Sequence, residues 1–120
     1  MRPLTILYAE DYRLLMQQVR RLLEDEGWRV EVCADGRAAL EKIAGDESYD
    51  LLLLDNSLPG VTGLELARRA RLLTHRRRTP IIMLSASETA TEAEQAGVNL
   101  FLKKPEQIQM VVAAIRNLVA

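Results

Sequence analysis

The chain has 120 residues, 48% of them hydrophobic, with 16 basic and 17 acidic side chains and a formal net charge of -1. That length suits one domain with one core. The near balance of charge gives no overall pull toward nucleic acid or an anionic membrane, and the apolar residues are too evenly spread for a membrane span. Cys33 is the only cysteine, which excludes an intramolecular disulfide and a cysteine-based zinc site.

Along the chain, apolar strand-like runs alternate with helical patterns. Thr5 to Ala9 reads as the first strand, with Tyr8 its only ring. Tyr12 to Glu26 carries apolar residues at 15, 19, 22 and 23, the stripe of an amphipathic helix, and Gly27 is a good stop. Trp28 falls where a ring covers the core edge. Arg29 to Ala34 alternates as a second strand and makes Cys33 a buried, inert thiol. Gly36 to Ile43 is a short helix closed by Gly45. Asp50 to Leu54 is apolar without alternation, as a strand covered on both faces should be. Gly63 to Leu73 is the third helix, followed by a polar loop, Thr74 to Arg78. Pro80 to Leu84 is the fourth strand, Thr89 to Ala96 a short weak helix stopped by Gly97, and Asn99 to Leu102 the fifth strand. Pro105 suits a helix's first turn, and the last helix, Glu106 to Val119, places Ile108, Val111, Val112, Ile115 and Val119 on one face. The sum is (βα)5, a doubly wound parallel sheet with right-handed crossovers and helices on both faces.

In such a sheet the loops after the strand carboxyl ends meet at one edge, where ligands bind. Glu10-Asp11, Asp55, Ser85 and Lys104 each follow or end an apolar run. Three carboxylates, a hydroxyl and an ammonium should therefore converge. Carboxylates suit a divalent cation, and a cation with Lys and Ser suits a phosphoryl group. Simpler readings exist for each residue alone: Asp55 as a turn cap, Glu10-Asp11 as a helix N-cap. The first strand is followed by Glu10-Asp11-Tyr12 rather than Gly-x-Gly-x-x-Gly, and no Walker A sequence occurs, so nucleotide binding has little support. His75 stands alone and makes no metal site. Arg68, Arg69, Arg71, Arg76, Arg77 and Arg78 read as a solvated face or partner contact, since no aromatic interleaving suggests a nucleic-acid platform. The segment Met1-Arg2-Pro3-Leu4-Thr5 lacks the apolar stretch and cleavage site of a signal peptide, so a cytoplasmic location is expected.

Five segments together resemble the receiver domains of two-component response regulators: Ile6-Leu7-Tyr8-Ala9-Glu10-Asp11, Leu53-Leu54-Asp55, Leu58-Pro59-Gly60-Val61-Thr62-Gly63, Met83-Leu84-Ser85-Ala86 and Phe101-Leu102-Lys103-Lys104-Pro105. The resemblance covers residues 1–120 as one receiver domain. It implies a flavodoxin-like fold with strand order 2-1-3-4-5. It implies that Asp55 takes a phosphoryl group from a phosphohistidine on a sensor histidine kinase or phosphotransfer protein, with Mg2+. By the same likeness Asp11 ligates Mg2+ directly with Asp55 and the Ser57 carbonyl, and Glu10 holds a metal-bound water. Ser85 hydrogen-bonds the phosphoryl group, and Phe101 follows that contact as a switch. Ser57 and Ser87 flank the site as modulators of phosphoryl loss. Lys104, the residue before Pro105, pairs with Asp55 and then with the phosphoryl group, leaving Lys103 as a surface charge. Such a domain phosphorylates and dephosphorylates itself without being a conventional enzyme.

Three positions depart from the family pattern: Thr62 where Asp is common, Asn56 where an apolar residue is usual, and Glu106 where Phe is common. The segment Ala86 to Ala96 is short and has no large apolar residue. A helix without an apolar face has little to hold it on a sheet. It should be about two turns long and poorly suited to a symmetric dimer, so a monomer at rest with an unassigned downstream effector is expected. The alternatives are a receiver that binds partners without phosphorylation, and an aspartyl-phosphate hydrolase of the haloacid-dehalogenase kind. The hydrolase would want an acid where Ser57 stands.

Overall fold

The computed structural model describes residues 2–120; Met1 lies outside them. The elements run in chain order as β1 (Thr5–Ala9), α1 (Arg13–Glu24), β2 (Arg29–Cys33), α2 (Gly36–Ala44), β3 (Leu51–Asp55), α3 (Gly63–Leu72), β4 (Ile81–Ser85), α4 (Ala90–Gln95), β5 (Leu100–Lys103) and α5 (Val111–Val119). All strand pairs are parallel and the order is β2-β1-β3-β4-β5. This is the doubly wound, flavodoxin-like order, with its strand carboxyl ends at one edge. No described helix is long and apolar enough to cross a membrane.

The central strands explain themselves. Every residue of β3 and β4 is buried, so Leu51–Leu54 and Ile81–Leu84 can be apolar on both faces. Alternate residues feed two cores. Leu7, Ala9, Leu52, Leu54 and Ile81 pack against Ala39 and Ile43 of α2 and Leu66, Ala67 and Ala70 of α3. Ile6, Tyr8, Leu51, Leu53, Ile82, Leu84 and Leu102 pack against Val19 and Leu23 of α1 and Val111 and Ile115 of α5. Trp28 packs at the margin of this second core, and Cys33 is buried in the first. Burial pushes the Cys33 thiol up, so it stays protonated.

Three local expectations change. In α1, Val19 and Leu23 are buried but Leu22 is largely exposed, so the apolar stripe is narrower than its spacing implies. The last helix does not begin at Glu106. Residues 104–107 form turns, Ile108–Met110 is a single 3-10 turn, and the α-helix starts at Val111. The Gln107 side chain accepts the Lys103 amide at 2.8 Å, which holds this stretch against β5 instead of in a helix. The apolar face is unaffected, because Ile108, Val111, Val112, Ile115 and Val119 all join the second core.

The arginine-rich stretch departs furthest. Thr74–Arg76 is a 3-10 turn, and Arg76 is only 2% exposed. Its guanidinium donates to the carbonyls of Ile43 and Lys42 at the end of α2 and of Gly45 and Glu47 just beyond it, where helix carbonyls run out of intrahelical partners, and lies 4.8 Å from the Tyr49 ring centroid. Arg71 donates to the carbonyls of Gly97, Arg76, Arg77 and Thr79 and to Asn99 Oδ1. These two arginines are internal clamps, whereas Arg68, Arg69, Arg77 and Arg78 are exposed. Lastly, α4 is a six-residue helix whose one buried member is Ala93, as its lack of large apolar residues leads one to expect.

Candidate functional site at the carboxyl edge of the sheet

Parity along the strands decides what meets at this edge. Tyr8, Leu53 and Leu102 all point into the core beneath α1 and α5. Two residues on, Glu10, Asp55 and Lys104 emerge on the same face. The ladder continues far enough to fix them: the Glu10 amide donates to Cys33 O at 2.9 Å, the Asn56 amide to Leu84 O at 3.2 Å, and the Lys104 amide to Ser85 O at 2.8 Å. Lys104 Nζ lies 3.0 and 3.3 Å from the two Glu10 oxygens and 3.3 Å from Asp55 Oδ1. Lys103 has the opposite parity and pairs instead with Glu88.

Glu10, Asp11 and Asp55 each place a carboxylate oxygen within 4.8 Å of the others. Glu10 and Asp55 are buried and Asp11 is exposed. Three carboxylates face one ammonium, so the cluster is short of positive charge. Burial, and after it the charge of Asp55, raises the Glu10 pKa; the hydrogen bonds and charge of Lys104 pull the other way. Hard oxygen donors in a pocket deficient in positive charge fit a divalent cation such as Mg2+. Glu10 Oε2 also accepts the Tyr12 amide at 3.2 Å, so Glu10 does serve the start of α1. The capping residue itself is Tyr12, whose side chain makes no capping bond.

Ser85 ends β4 with the opposite parity and is fully buried. Its hydroxyl bonds Ser87 Oγ at 2.9 Å and accepts the Ser87 amide at 3.2 Å, so it is not joined to the carboxylates. Phe101 is half-buried in β5, in register with Met83. Ser57 is exposed in the loop after β3, and its amide donates to Asp55 Oδ1 at 3.3 Å.

Two of the three departures from the family pattern find their use beside Asp55. Thr62 Oγ1 accepts the Glu65 amide at 3.2 Å, and Asn56 Oδ1 accepts the Leu64 amide at 3.0 Å. Both amides belong to the first turn of α3 and would otherwise be unpaired. A side chain at Gly63 could not fit, since a Cβ there would fall 2.4 Å from the Asp55 carbonyl oxygen. The helix therefore starts against the residue that ends β3. One residue that motif reading passed over belongs to the site: Tyr8, whose place two residues before Glu10 on the same face was the available signal.

A sequence model of the response regulator receiver domain matches residues 6–116, and the chain belongs to that family. It is 34% identical over 119 residues to the response regulator MprA of Mycolicibacterium vanbaalenii, covering 97% of this chain and 50% of that protein. The chain thus spans about half the length of that relative. Among solved structures it is similar to the chemotaxis response regulator CheY4 of Vibrio cholerae, with a TM-score of 0.89, 29% identity and coverage of 98% of this chain and 99% of that one. It is also similar to the receiver domain of the sensor histidine kinase PA1611 of Pseudomonas aeruginosa, again with a TM-score of 0.89, 29% identity and 98% coverage of both chains. That domain was solved with a magnesium ion coordinated in its active-site cleft. The fold and the family together make this chain a receiver domain of two-component signalling.

Proposed function

We propose that this receiver is a phosphorylation-controlled switch in which Asp55 is the phosphoacceptor. A phosphohistidine on a sensor histidine kinase or phosphotransfer protein is the donor. An Asp55 carboxylate oxygen attacks phosphorus, a P–O bond forms, the P–N bond to the donor imidazole breaks, and the imidazole leaves with the electron pair and takes up a proton. The observation that carries this reading is the Lys104 ammonium 3.3 Å from Asp55, within a triad of carboxylates spanning no more than 4.8 Å. Lys104 already bears positive charge where a transferred phosphoryl oxygen would sit, so charge is met by a fixed partner.

Asp11 and Asp55 would hold Mg2+ with the Ser57 carbonyl, and Glu10 would hold one of its waters. When bound, Mg2+ neutralises charge on the phosphoryl oxygens and the acceptor. Ser85 hydrogen-bonds the phosphoryl group by turning its hydroxyl proton to it, a contact it can make while its oxygen still accepts from Ser87, and Phe101 follows that contact as a switch. The domain acts as a self-modifying switch rather than a turnover enzyme. It is a monomer at rest and carries the signal to an effector through a changed contact surface.

The test is incubation with a small-molecule phosphodonor, with and without Mg2+, read by intact mass. We expect one phosphoryl group per chain, only with Mg2+, and none in Asp55→Asn, which keeps the shape and loses the nucleophile. Full labelling of Asp55→Asn would overturn the assignment.

A further inference from the structure

Of the three residues that lie two positions beneath the reactive ones, Leu53 and Leu102 are purely apolar and Tyr8 ends in a hydroxyl. Tyr8 is fully buried, and its hydroxyl has no hydrogen-bond partner among the described residues. A buried hydroxyl left unpaired is a standing cost that native structures rarely carry. Burial first, then the charges of Glu10 and Asp55 and the nearness of the Glu10 carboxylate as an acceptor, push the phenol well above its usual range, although the hydroxyl does not reach hydrogen-bond geometry with Glu10 at rest. Residues two apart on a strand stand on one face about 6.6 Å apart, a span that a phenol ring covers. The hydroxyl therefore sits beneath the carboxylate cluster.

In the resting arrangement Glu10 has no need of it. Both Glu10 oxygens receive Lys104 Nζ, and one also receives the Tyr12 amide. The function proposed above changes this, because Lys104 is also the partner of the incoming phosphoryl group. A buried carboxylate that loses its ammonium is short of donors even with the Tyr12 amide and one metal-bound water, since its two oxygens offer about four acceptor sites. Tyr8 is placed to be that donor.

Resting on the phosphoacceptor reading of this site, we propose that Tyr8 is a positioning residue whose hydroxyl donates to Glu10 in the loaded site, holding that carboxylate when Lys104 turns to the phosphoryl group. The unpaired hydroxyl of the resting protein is then a donor held in reserve, and its cost is recovered when the site fills. The ring fills the core in either state, so only the oxygen distinguishes the two.

The experiment compares the wild-type protein with Tyr8→Phe, using Mg2+ with beryllofluoride as a tetrahedral phosphoryl mimic. Calorimetry should show the variant binding Mg2+ at least about tenfold more weakly under saturating beryllofluoride, the size expected for one lost hydrogen bond to a charged group. Without ligand, the variant should melt no lower than wild type, since the hydroxyl has no partner to lose. With tyrosine labelled at 13Cζ, the resonance missing from Tyr8→Phe should move downfield in wild type when the site is loaded. Equal affinity in the two proteins, or an unmoved resonance, overturns the inference alone. A lower unliganded melting point with a matching loss of affinity also overturns it, because that pattern is packing. A wild-type protein that binds neither probe overturns the reading of the site and this inference with it.

Discussion

The two ends of the sheet treat charge in opposite ways. At the end where the strands begin, Arg76 is buried against four carbonyls and a tyrosine ring, and Asp50 accepts both the Arg2 guanidinium and the Thr5 amide. Each charge there meets groups that satisfy it. At the end where the strands finish, three carboxylates crowd around one lysine, and a phenol hydroxyl lies unpaired beneath them. Satisfied buried charge makes structure, while unsatisfied buried charge makes a place for a ligand. If so, neutralising a charge should weaken the protein at the first end and strengthen the resting protein at the second.

The largest effect should come from Arg76→Met. The stem and much of its packing survive, but the carbonyls of Lys42, Ile43, Gly45 and Glu47 all lose the guanidinium, leaving Lys42 O with only the Gly45 amide and Gly45 O with only the His75 ring. We expect a loss of about 2–4 kcal/mol, from several charge-assisted bonds broken at a buried site. Chemical denaturation measures it directly. Below its melting point the variant should still accept phosphate at Asp55, because these contacts lie at the opposite end of the sheet. A loss of under half a kilocalorie would mean that solvent already serves those carbonyls.

That arginine also shows where sequence reading stops. The strands were legible because β3 and β4 are apolar without alternation, and the order of Glu10-Asp11, Asp55 and Lys104 at strand ends was enough to foresee that these side chains meet, though not that Ser85 would bond Ser87 instead. The brevity of α4 was legible from the absence of any large apolar residue. Arg76 was not, because the carbonyls that bury it end a helix some thirty residues earlier, and nothing in a run of arginines says which one turns inward. The start of α5 was hidden because Ile108 and Val111 keep the same spacing in a 3-10 turn and in a helix. Tyr8 was hidden by its own ring, which reads as ordinary core until its hydroxyl is found without a partner.

A middling effect is expected at Asp50, and it depends on pH. The hydrogen bond from Arg2 comes first, then the Thr5 amide and the Arg2 charge; together they outweigh burial and hold its pKa below the usual 3.8. An unfolded Asp50 therefore binds a proton more readily than the folded one. Its contribution is complete above pH 3.8 and is lost as pH falls through the depressed folded value. Asp50→Asn should melt lower than wild type at neutral pH, with the difference shrinking below pH about 4. Melting curves across this acid range test it, and a difference that does not change with pH would remove Asp50 from the set of satisfied charges.

The smallest effect carries the opposite sign and is the sharpest test of the comparison. In the resting protein Asp55 lies within 4.8 Å of two other carboxylates and 3.3 Å from one ammonium. At an effective dielectric of about 20, each repulsion is roughly 3.5 kcal/mol and the attraction roughly 5 kcal/mol, so the pairwise sum is unfavourable by about 2 kcal/mol before solvent screening at exposed Asp11 reduces it. Desolvation then decides, because Asp55 is only 2% exposed and a neutral amide costs less to bury than a carboxylate. Asparagine keeps an oxygen to accept the Ser57 amide. Asp55→Asn should therefore stabilise the metal-free protein by about 1 kcal/mol. Added Mg2+ should raise the melting point of wild type more than that of the variant, because one of the proposed ligands is gone. A metal-free Asp55→Asn less stable than wild type would place this end of the sheet with the other, as structure already satisfied without a ligand.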